Sequence, residues 1–138
     1  MIVVDGENCI LGRMSAKIAK ELMSGEEVNI INAEKIVILG KPDSIVEHWK
    51  GRFAVRDIGK PVKSPKLSRR PDLFVKRSVR GMLPHRKKRG IEAHRRLMAH
   101  MGVPKQFEGK GIKICELKDE HKRKMTIEQL CKKLGWKG

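Results

Sequence analysis

Apolar and polar residues follow two different patterns along the first third of the chain. Short runs rich in Val and Ile are typical of buried strands, and they occur at residues 2–4, 28–32 and 36–39. Apolar residues recur three or four positions apart from Leu11 onward and again from Pro42 onward, which predicts two amphipathic helices. Strands that alternate with helices of this length favour parallel pairing through right-handed crossovers. We therefore predict an α/β fold.

The pattern changes near the middle of the chain. Residues 52–70 contain prolines, serines and basic residues without any amphipathic period, which indicates an extended basic arm. Helical spacing resumes at Pro71 and stops before Pro84, and a further helix is predicted over residues 91–102. The middle of the chain is thus predicted to be an arm followed by two helices.

The tail returns to the composition of an ordinary folded domain. Residues 111–115 alternate as a strand does, and Thr126 with Gln129 three residues later matches a helix capping box. No internal repeat divides the sequence. We predict one domain over residues 1–138, with a basic arm and helices at about 50–96.

The charge is concentrated in one part of the chain. The whole sequence has a formal charge of +16, and residues 50–96, here called the basic segment, hold 17 basic and three acidic residues. Residues 1–49 have a net charge of −3 and residues 97–138 a net charge of +5. Solvated surfaces normally mix both signs, so this excess predicts a polyanionic partner. Ten of the 12 arginines lie in the basic segment, and the arginine fork suits phosphate.

The few aromatic residues help to choose the polyanion. The chain has three Phe, two Trp and no Tyr, whereas proteins that bind single strands usually need aromatic stacking platforms. No pattern typical of the common single-strand RNA modules occurs either. A folded, phosphate-dense surface is therefore the expected target, and structured RNA fits best. Charge alone does not distinguish structured RNA from duplex DNA.

Composition also indicates the cellular compartment of the protein. Cys9, Cys115 and Cys131 form no CxxC pair, and an odd number of cysteines argues against a disulfide framework. No apolar run approaches the roughly 18 residues that a membrane-spanning helix needs. The first apolar run leads directly into acidic residues, unlike a signal peptide. We expect a reduced, soluble, intracellular protein without a membrane partner.

The sequence contains no recognisable catalytic or metal-binding constellation. None of the five histidines has a cysteine or acid at ligand spacing, and the six-residue spacing of His94 and His100 does not place them on one helical face. The entry to the first helix at Gly12 and Arg13 follows a strand and a loop but lacks the glycine-rich phosphate fingerprints. We interpret it as a simple junction between a loop and a helix, and we predict neither a cofactor nor a metal.

Two other functions remain as alternatives at this point. A DNA-compacting protein would use the same charge, and it would bind duplex DNA as tightly as RNA at equal salt. An RNA-modifying enzyme would need a cofactor pocket at the carboxyl end of a strand, after Val4 or Leu39, where no glycine-rich fingerprint occurs.

Four segments together resemble the universal large-subunit ribosomal protein family numbered thirteen. The most characteristic is VRGMLPHRKKRG at residues 79–90. LGRMSA at residues 11–16, the stretch 28–40 and GVP at residues 102–104 follow the family in the same order. The resemblance covers nearly the whole chain, and the form PHRKKRG is similar to the archaeal branch.

The resemblance implies a fold, a role and partners. It implies a three-layer α/β/α domain with a four-stranded parallel sheet and an extended basic arm. It also implies a non-catalytic, cytoplasmic constituent of the large ribosomal subunit that supports subunit assembly and translation. The implied partners are large-subunit ribosomal RNA and neighbouring large-subunit ribosomal proteins, with no small-molecule substrate.

The candidate RNA-binding residues form two sets. The resemblance assigns the residues that match the central motif, namely Arg80, His85, Arg86, Lys87, Lys88 and Arg89. Charge and position alone add a second set, namely Lys50, Arg52, Arg56, Lys63, Lys66, Arg69, Arg70, Lys76, Arg77, Arg95 and Arg96.

Overall fold

A computed structural model describes residues 1–114 and 123–138 of the chain. The described residues form five α-helices and five β-strands. The helices are α1 Leu11–Ser24, α2 Pro42–Ala54, α3 Pro71–Met82, α4 Lys88–Arg95 and α5 Ile127–Lys133. The strands are β1 Ile2–Asp5, β2 Val28–Ile31, β3 Val37–Leu39, β4 Leu97–Ala99 and β5 Lys124–Thr126. The prediction of an α/β fold is confirmed.

A parallel sheet with the strand order β1–β2–β4 lies at the centre of the fold. Ile2 in β1 is paired with Val28 in β2, and Val28 is paired on its other side with Leu97 in β4. All of β2 is buried, as expected for a central strand rich in β-branched residues. Because β4 follows the basic segment, its pairing with β2 returns the chain to the sheet at the end of that segment.

The four-stranded parallel sheet is not confirmed, because only three strands join it within the described residues. Ile112 makes a single parallel bridge to β1, in which its N–H donates to the Val3 carbonyl at 2.9 Å and its carbonyl accepts from the Asp5 N–H at 3.1 Å. Ile112 is 58% exposed, so this bridge buries little apolar surface. Of the strand predicted at 111–115, the structure describes only this bridge, and Cys115 lies outside the described residues.

Strand β3 pairs antiparallel with β5 instead of joining the parallel sheet. A 3₁₀ turn at Ala33–Lys35 separates β2 from β3 and follows Asn32, which is left-handed at φ 53°. Asn tolerates this conformation better than most residues, and its side-chain amide donates to the Asp5 carboxylate at 2.9 Å. The turn therefore directs the chain out of the parallel sheet after β2.

The helix predicted over residues 91–102 is wrong in its second half. Helix α4 ends at Arg95 and β4 begins at Leu97. The Arg96 carbonyl accepts a hydrogen bond from the Val28 N–H at 3.1 Å, and the His100 N–H donates to the Ile30 carbonyl at 2.8 Å. These bonds commit the backbone to the sheet, and Leu97 is fully buried beside β2. Tertiary pairing has overridden the helical spacing of the apolar residues.

The predicted helix starts agree with the structure. Pro42 and Pro71 occupy the first turns of α2 and α3, where the missing proline N–H costs no intrahelical hydrogen bond. The predicted capping box is confirmed at α5, where the Thr126 hydroxyl oxygen accepts from the Gln129 N–H at 3.3 Å. Local sequence therefore determines where these helices begin.

The packing of the helices positions the basic segment against the core. Helix α1 packs against α3 and α4, while α5 packs against α2 and α3. Helix α2 continues to Ala54, so the arm occupies residues 55–70 and contains one 3₁₀ turn at Pro61–Lys63. Most of the arm is exposed to solvent. Among the described residues, no helix is both long and apolar enough to cross a membrane.

Candidate nucleic-acid interface

The candidate residues are distributed over α2, the arm, α3, the link between α3 and α4, and α4. All of them are exposed except Lys76, Arg77 and Arg96, which are half-buried. Cationic side chains that remain exposed on several neighbouring elements are available to a large anionic surface. The structure does not bring all of them to one place, and the groups are described separately below.

One group lines a cleft of about 440 Å³ between α1, α2 and α3. We call it the α1 cleft. Its basic lining residues are Arg52 from α2, Arg77 and Arg80 from α3, and His85 from the following link. The guanidinium of Arg52 lies 5.1 Å from the centre of the Trp49 ring. The described lining residues include no acidic side chain, so the protein leaves this positive charge uncompensated.

The charges in the α1 cleft repel one another. The pKa of Arg77 is lowered from its ordinary value by burial and further by the charges of Arg80 and Arg52. Arg77 also donates from Nη1 to the Lys66 carbonyl at 3.3 Å, which holds its guanidinium near the arm. Clustered cations without a carboxylate partner favour the binding of an anion.

Arg80 joins this cleft to two smaller depressions. One of them is lined by Lys66, Lys76, Arg77 and Arg80, and the other by Arg80, His85 and Arg95. Because Arg80 contributes to all three, the depressions form one continuous basic surface, which we call the Arg80 surface. All these basic residues are candidates from the sequence, and the structure brings them together.

The motif between α3 and α4 forms a tight basic turn. The Lys87 N–H donates to the Pro84 carbonyl at 2.9 Å, and the Gly90 N–H donates to the Lys87 carbonyl at 3.0 Å. A Cβ atom on Gly90 would lie 2.2 Å from the Pro84 carbonyl oxygen, so only glycine allows the chain to close here. The turn presents Arg86 and Lys88 to solvent.

Other candidate residues contact the protein itself. Arg96 donates from Nη2 to the Leu22 carbonyl at 2.9 Å, and Arg89 donates to the Met23 carbonyl at 3.4 Å, both at the carboxyl end of α1. Cations stabilise this end of a helix because they complement its dipole. The half-buried Arg96 therefore has a structural role in the fold.

Two arm residues are held close to the core. The guanidinium of Arg69 lies 5.3 Å from the centre of the Phe53 ring, and Arg70 forms an ion pair with Asp72. Arg56 and Lys63 lie earlier in the arm and are exposed, and neither lines the α1 cleft. These four arm residues therefore lie outside the α1 cleft, whereas Lys66 of the arm lines the Arg80 surface.

His94 lines the Arg80 surface, and its pKa is lowered by burial and by the positive charges around it. Burial lowers the pKa of His94, and the charge of Lys76 lowers it further. The charges of Arg80 and His85 act in the same direction. His94 is therefore a half-buried part of this surface, and its charged form is disfavoured there.

Three uncharged residues of α1 that the sequence pattern did not mark as candidates line the α1 cleft, namely Leu11, Gly12 and Ser15. They lie beside Arg77 and Arg80. Positive charge, the signal that marked the other residues, is absent from all three. The available signal was the loop-to-helix junction at Gly12, which was interpreted as having no binding role.

The backbone just after β1, one of the two strand ends considered for a cofactor, packs closely against the core. A Cβ atom on Gly6 would lie 2.7 Å from the Ile36 side chain. Over residues 1–114 and 123–138, no group of three or more His, Cys, Asp or Glu residues could hold a metal ion.

Comparison with known proteins identifies the family. The family model described as ribosomal protein L13 matches residues 1–106, and the chain belongs to this family of structural, non-enzymatic ribosomal proteins. The resemblance noted in the sequence is thereby confirmed.

Individual relatives agree with the family assignment over most of the chain. The large ribosomal subunit protein uL13 of Methanopyrus kandleri is 39% identical over 140 residues, covering 97% of this chain and 86% of the relative. The protein of the same name from Archaeoglobus fulgidus is 38% identical over 141 residues, covering 99% and 88%. That from Methanosphaera stadtmanae is 43% identical over 111 residues, covering 80% and 78%. All three organisms are archaea, in agreement with the expected archaeal form.

Proposed function

We propose that this chain is a structural constituent of the large ribosomal subunit in the cytoplasm, where it binds large-subunit ribosomal RNA through the basic segment. It supports subunit assembly and translation, and it contacts neighbouring large-subunit proteins. The observation that carries the proposal is the continuous Arg80 surface, which is rich in arginine and lies on a chain of the ribosomal protein L13 family. We also propose the three-layer arrangement of helices around the sheet.

The charge distribution supports RNA binding by simple electrostatics. The basic segment has 17 basic residues against three acidic ones, and most of its cations are exposed. Each phosphate that a cation neutralises releases condensed counterions, so affinity falls steeply with salt. Phosphate contacts fix position without reading sequence, which suits a protein that recognises the shape of a folded RNA.

The contacts within the protein rank the candidate residues. Arg80, His85, Arg86, Lys87 and Lys88 carry most of the proposed RNA contact, because they lie on the Arg80 surface or on the exposed basic turn. Arg70 and Arg96 contribute least, because Asp72 and the carboxyl end of α1 engage their guanidinium groups.

Binding of the full chain to large-subunit ribosomal RNA tests the proposal. The test compares the wild type with an Arg86→Gln, Lys87→Gln, Lys88→Gln variant over a range of salt concentrations. The matched control is Lys20→Gln, Lys41→Gln, Lys137→Gln, which removes three exposed positive charges outside the basic segment. We expect the first variant to reduce the slope of log affinity against log salt concentration by about three. The control should change this slope little.

Two further titrations distinguish a large-subunit RNA-binding protein from a general DNA-binding protein. Small-subunit ribosomal RNA and duplex DNA are titrated at the same salt as large-subunit RNA. We expect preference for large-subunit RNA and migration of the chain with the large subunit on low-magnesium gradients. Equal affinity for duplex DNA, with the chain absent from the large-subunit fractions, would overturn the proposal in favour of a general DNA-binding protein.

A further inference from the structure

The amino end of α1 opens into the α1 cleft without a cap. Helix α1 follows Ile10, whose apolar side chain makes no capping hydrogen bond, and its first turn contains no acidic residue. The first N–H groups of a helix lack intrahelical acceptors and form the positive end of its dipole. Leu11 and Gly12, in this first turn, line the cleft. This geometry is suited to an anion, although a helix terminus alone does not establish a site.

Ser15 provides an independent observation. Its side chain is fully buried, its Oγ has no hydrogen-bond partner, and the residue lines the same cleft one turn beyond Leu11. A buried hydroxyl without a partner is unfavourable, so such groups usually contact an internal acceptor or a ligand. Ser78 shows the usual arrangement in this cleft, since its hydroxyl donates to the Phe74 carbonyl at 3.2 Å.

Gly12 leaves the backbone uncovered where an anion would approach. A Cβ atom built on Gly12 would meet nothing within 4 Å, so the packing of the protein does not require glycine here. Glycine within a helix is unfavourable relative to alanine because it loses more backbone freedom on folding. Its absence of a side chain instead allows close approach to the N–H groups of the first turn.

Side-chain cations from α2 and α3 line the same cleft. Arg77 and Arg80 project from α3 into the lining of the cleft, and Arg52 reaches it from α2. Their mutual repulsion has no compensating carboxylate among the described lining residues. One phosphate group in the cleft would satisfy the helix terminus, the Ser15 hydroxyl and the guanidinium groups together.

We propose that the α1 cleft binds a single backbone phosphate of the RNA, which accepts hydrogen bonds from the first turn of α1, from Ser15 Oγ and from Arg77 or Arg80. This inference rests on the proposed function and extends the interface beyond the basic segment to an uncharged part of α1. Arginine supplies affinity, while Gly12 and Ser15 hold the phosphate in one position.

Ser15→Ala is the decisive variant because it separates binding from folding. Removing an unpartnered buried hydroxyl leaves the stability of the free protein equal or higher, since no internal hydrogen bond is lost. Removing a donor to a phosphate weakens the affinity of the full chain for large-subunit ribosomal RNA by about tenfold. Ser24→Ala is the matched control in the same helix but outside the cleft: its hydroxyl donates to the Lys20 carbonyl at 3.1 Å, and its removal leaves RNA affinity unchanged.

Inorganic phosphate provides a second readout on the protein alone. In NMR titrations of the full chain, phosphate should shift the amide resonances of Leu11 and Gly12. Ser15→Ala should weaken that response, and Ser24→Ala should preserve it. An effect of phosphate on these amides without any loss of RNA affinity in Ser15→Ala would identify a small-anion site and overturn the RNA assignment.

The outcomes distinguish this inference from the proposed function. If Ser15→Ala binds large-subunit RNA as tightly as the wild type, the phosphate site is wrong while the preference of the wild type for that RNA still supports the proposed function. If Ser15→Ala instead destabilises the protein, the hydroxyl is structural and the inference fails. If the wild type shows no preference for large-subunit RNA, the proposed function fails first.

Discussion

Arg70 and Asp72 form a two-pronged ion pair at the start of α3. Arg70 donates from Nη2 to Asp72 Oδ2 at 2.7 Å and from Nε to Oδ1 at 3.2 Å. Asp72 is only 8% exposed and lies in the first turn of the helix, where a negative charge complements the dipole. One of the three acidic residues of the basic segment is thus a structural element of α3.

Replacing Asp72 should destabilise the fold. Asp72→Asn removes the charge that pairs with Arg70 and that favours the amino end of α3, so we expect a loss of about 2 kcal/mol in the free energy of unfolding. Urea denaturation measures it. Glu92→Gln is the control, because Glu92 is an exposed acidic residue in the same segment. Equal changes in the free energy of unfolding of the two variants would mean that only the net charge of the protein affects its stability.

Alkaline pH should destabilise the protein through Cys131. Burial, together with the charge of Asp72, raises the pKa of the Cys131 thiol to about 12 in the folded protein. The unfolded chain loses this proton near pH 9 while the folded chain retains it, so the stabilisation is complete below pH 9 and is lost as the pH rises toward 12. Unfolding measured from pH 7 to 10.5 should show a steeper decline for the wild type than for Cys131→Ala. Parallel curves would contradict the shifted pKa.

Gly90→Ala should disrupt the basic turn. The new Cβ atom would lie 2.2 Å from the Pro84 carbonyl oxygen, and backbone atoms cannot move aside cheaply. We expect a loss of about 3 kcal/mol in stability and weaker RNA binding because the turn is displaced. The control is Gly51→Ala in α2, where a Cβ atom meets nothing within 4 Å. That variant should gain about 0.5–1 kcal/mol.

Arg95 and Arg96 should give opposite results although they are adjacent. Arg96→Gln removes the contact to the Leu22 carbonyl, so we expect it to lower stability by about 1–2 kcal/mol. Arg95 is exposed and lines a depression next to Arg80, so Arg95→Gln should preserve stability and reduce affinity for large-subunit RNA. Thermal unfolding measures the stability of both variants, and RNA titration measures their affinity. A loss of stability in Arg95→Gln would contradict the prediction.

Thr126→Ala tests the capping box at the start of α5. The substitution removes the acceptor of the Gln129 N–H and should cost about 1 kcal/mol in the free energy of unfolding. Thr126→Ser keeps a hydroxyl oxygen in the same position and should restore most of the stability. Chemical denaturation of the two variants measures the difference, and equal losses would point to the methyl group instead.

Local sequence signals predicted much of the fold. Pro42, Pro71 and the Thr126 capping box mark their helix starts correctly because a helix terminus depends on a few neighbouring residues. The strand status of Leu97 could not be read in this way, because its hydrogen bonds are to β2, which lies far away in sequence. Pairing of β3 with β5 is a long-range property for the same reason.

Charge predicted the residues of the candidate site better than their roles. The density of arginine identified Arg77, and the family motif identified Arg80, before their side chains could be placed in one cleft. It also selected Arg96, whose contact with α1 depends on a tertiary approach that no local pattern encodes. Ser15 carried no signal at all, since the absence of a hydrogen-bond partner becomes visible only after burial is known.

The pairing of β2 with β4 has a consequence for how the chain matures during its synthesis. The whole basic segment lies between these two strands, so translation must release every one of its cations before β4 can dock beside β2. Contacts between distant parts of a chain form late, and until then the nascent protein exposes an unfinished sheet together with a strongly cationic loop. Newly made copies are consequently most vulnerable to wrong nucleic-acid attachment and aggregation in the interval before β4 docks.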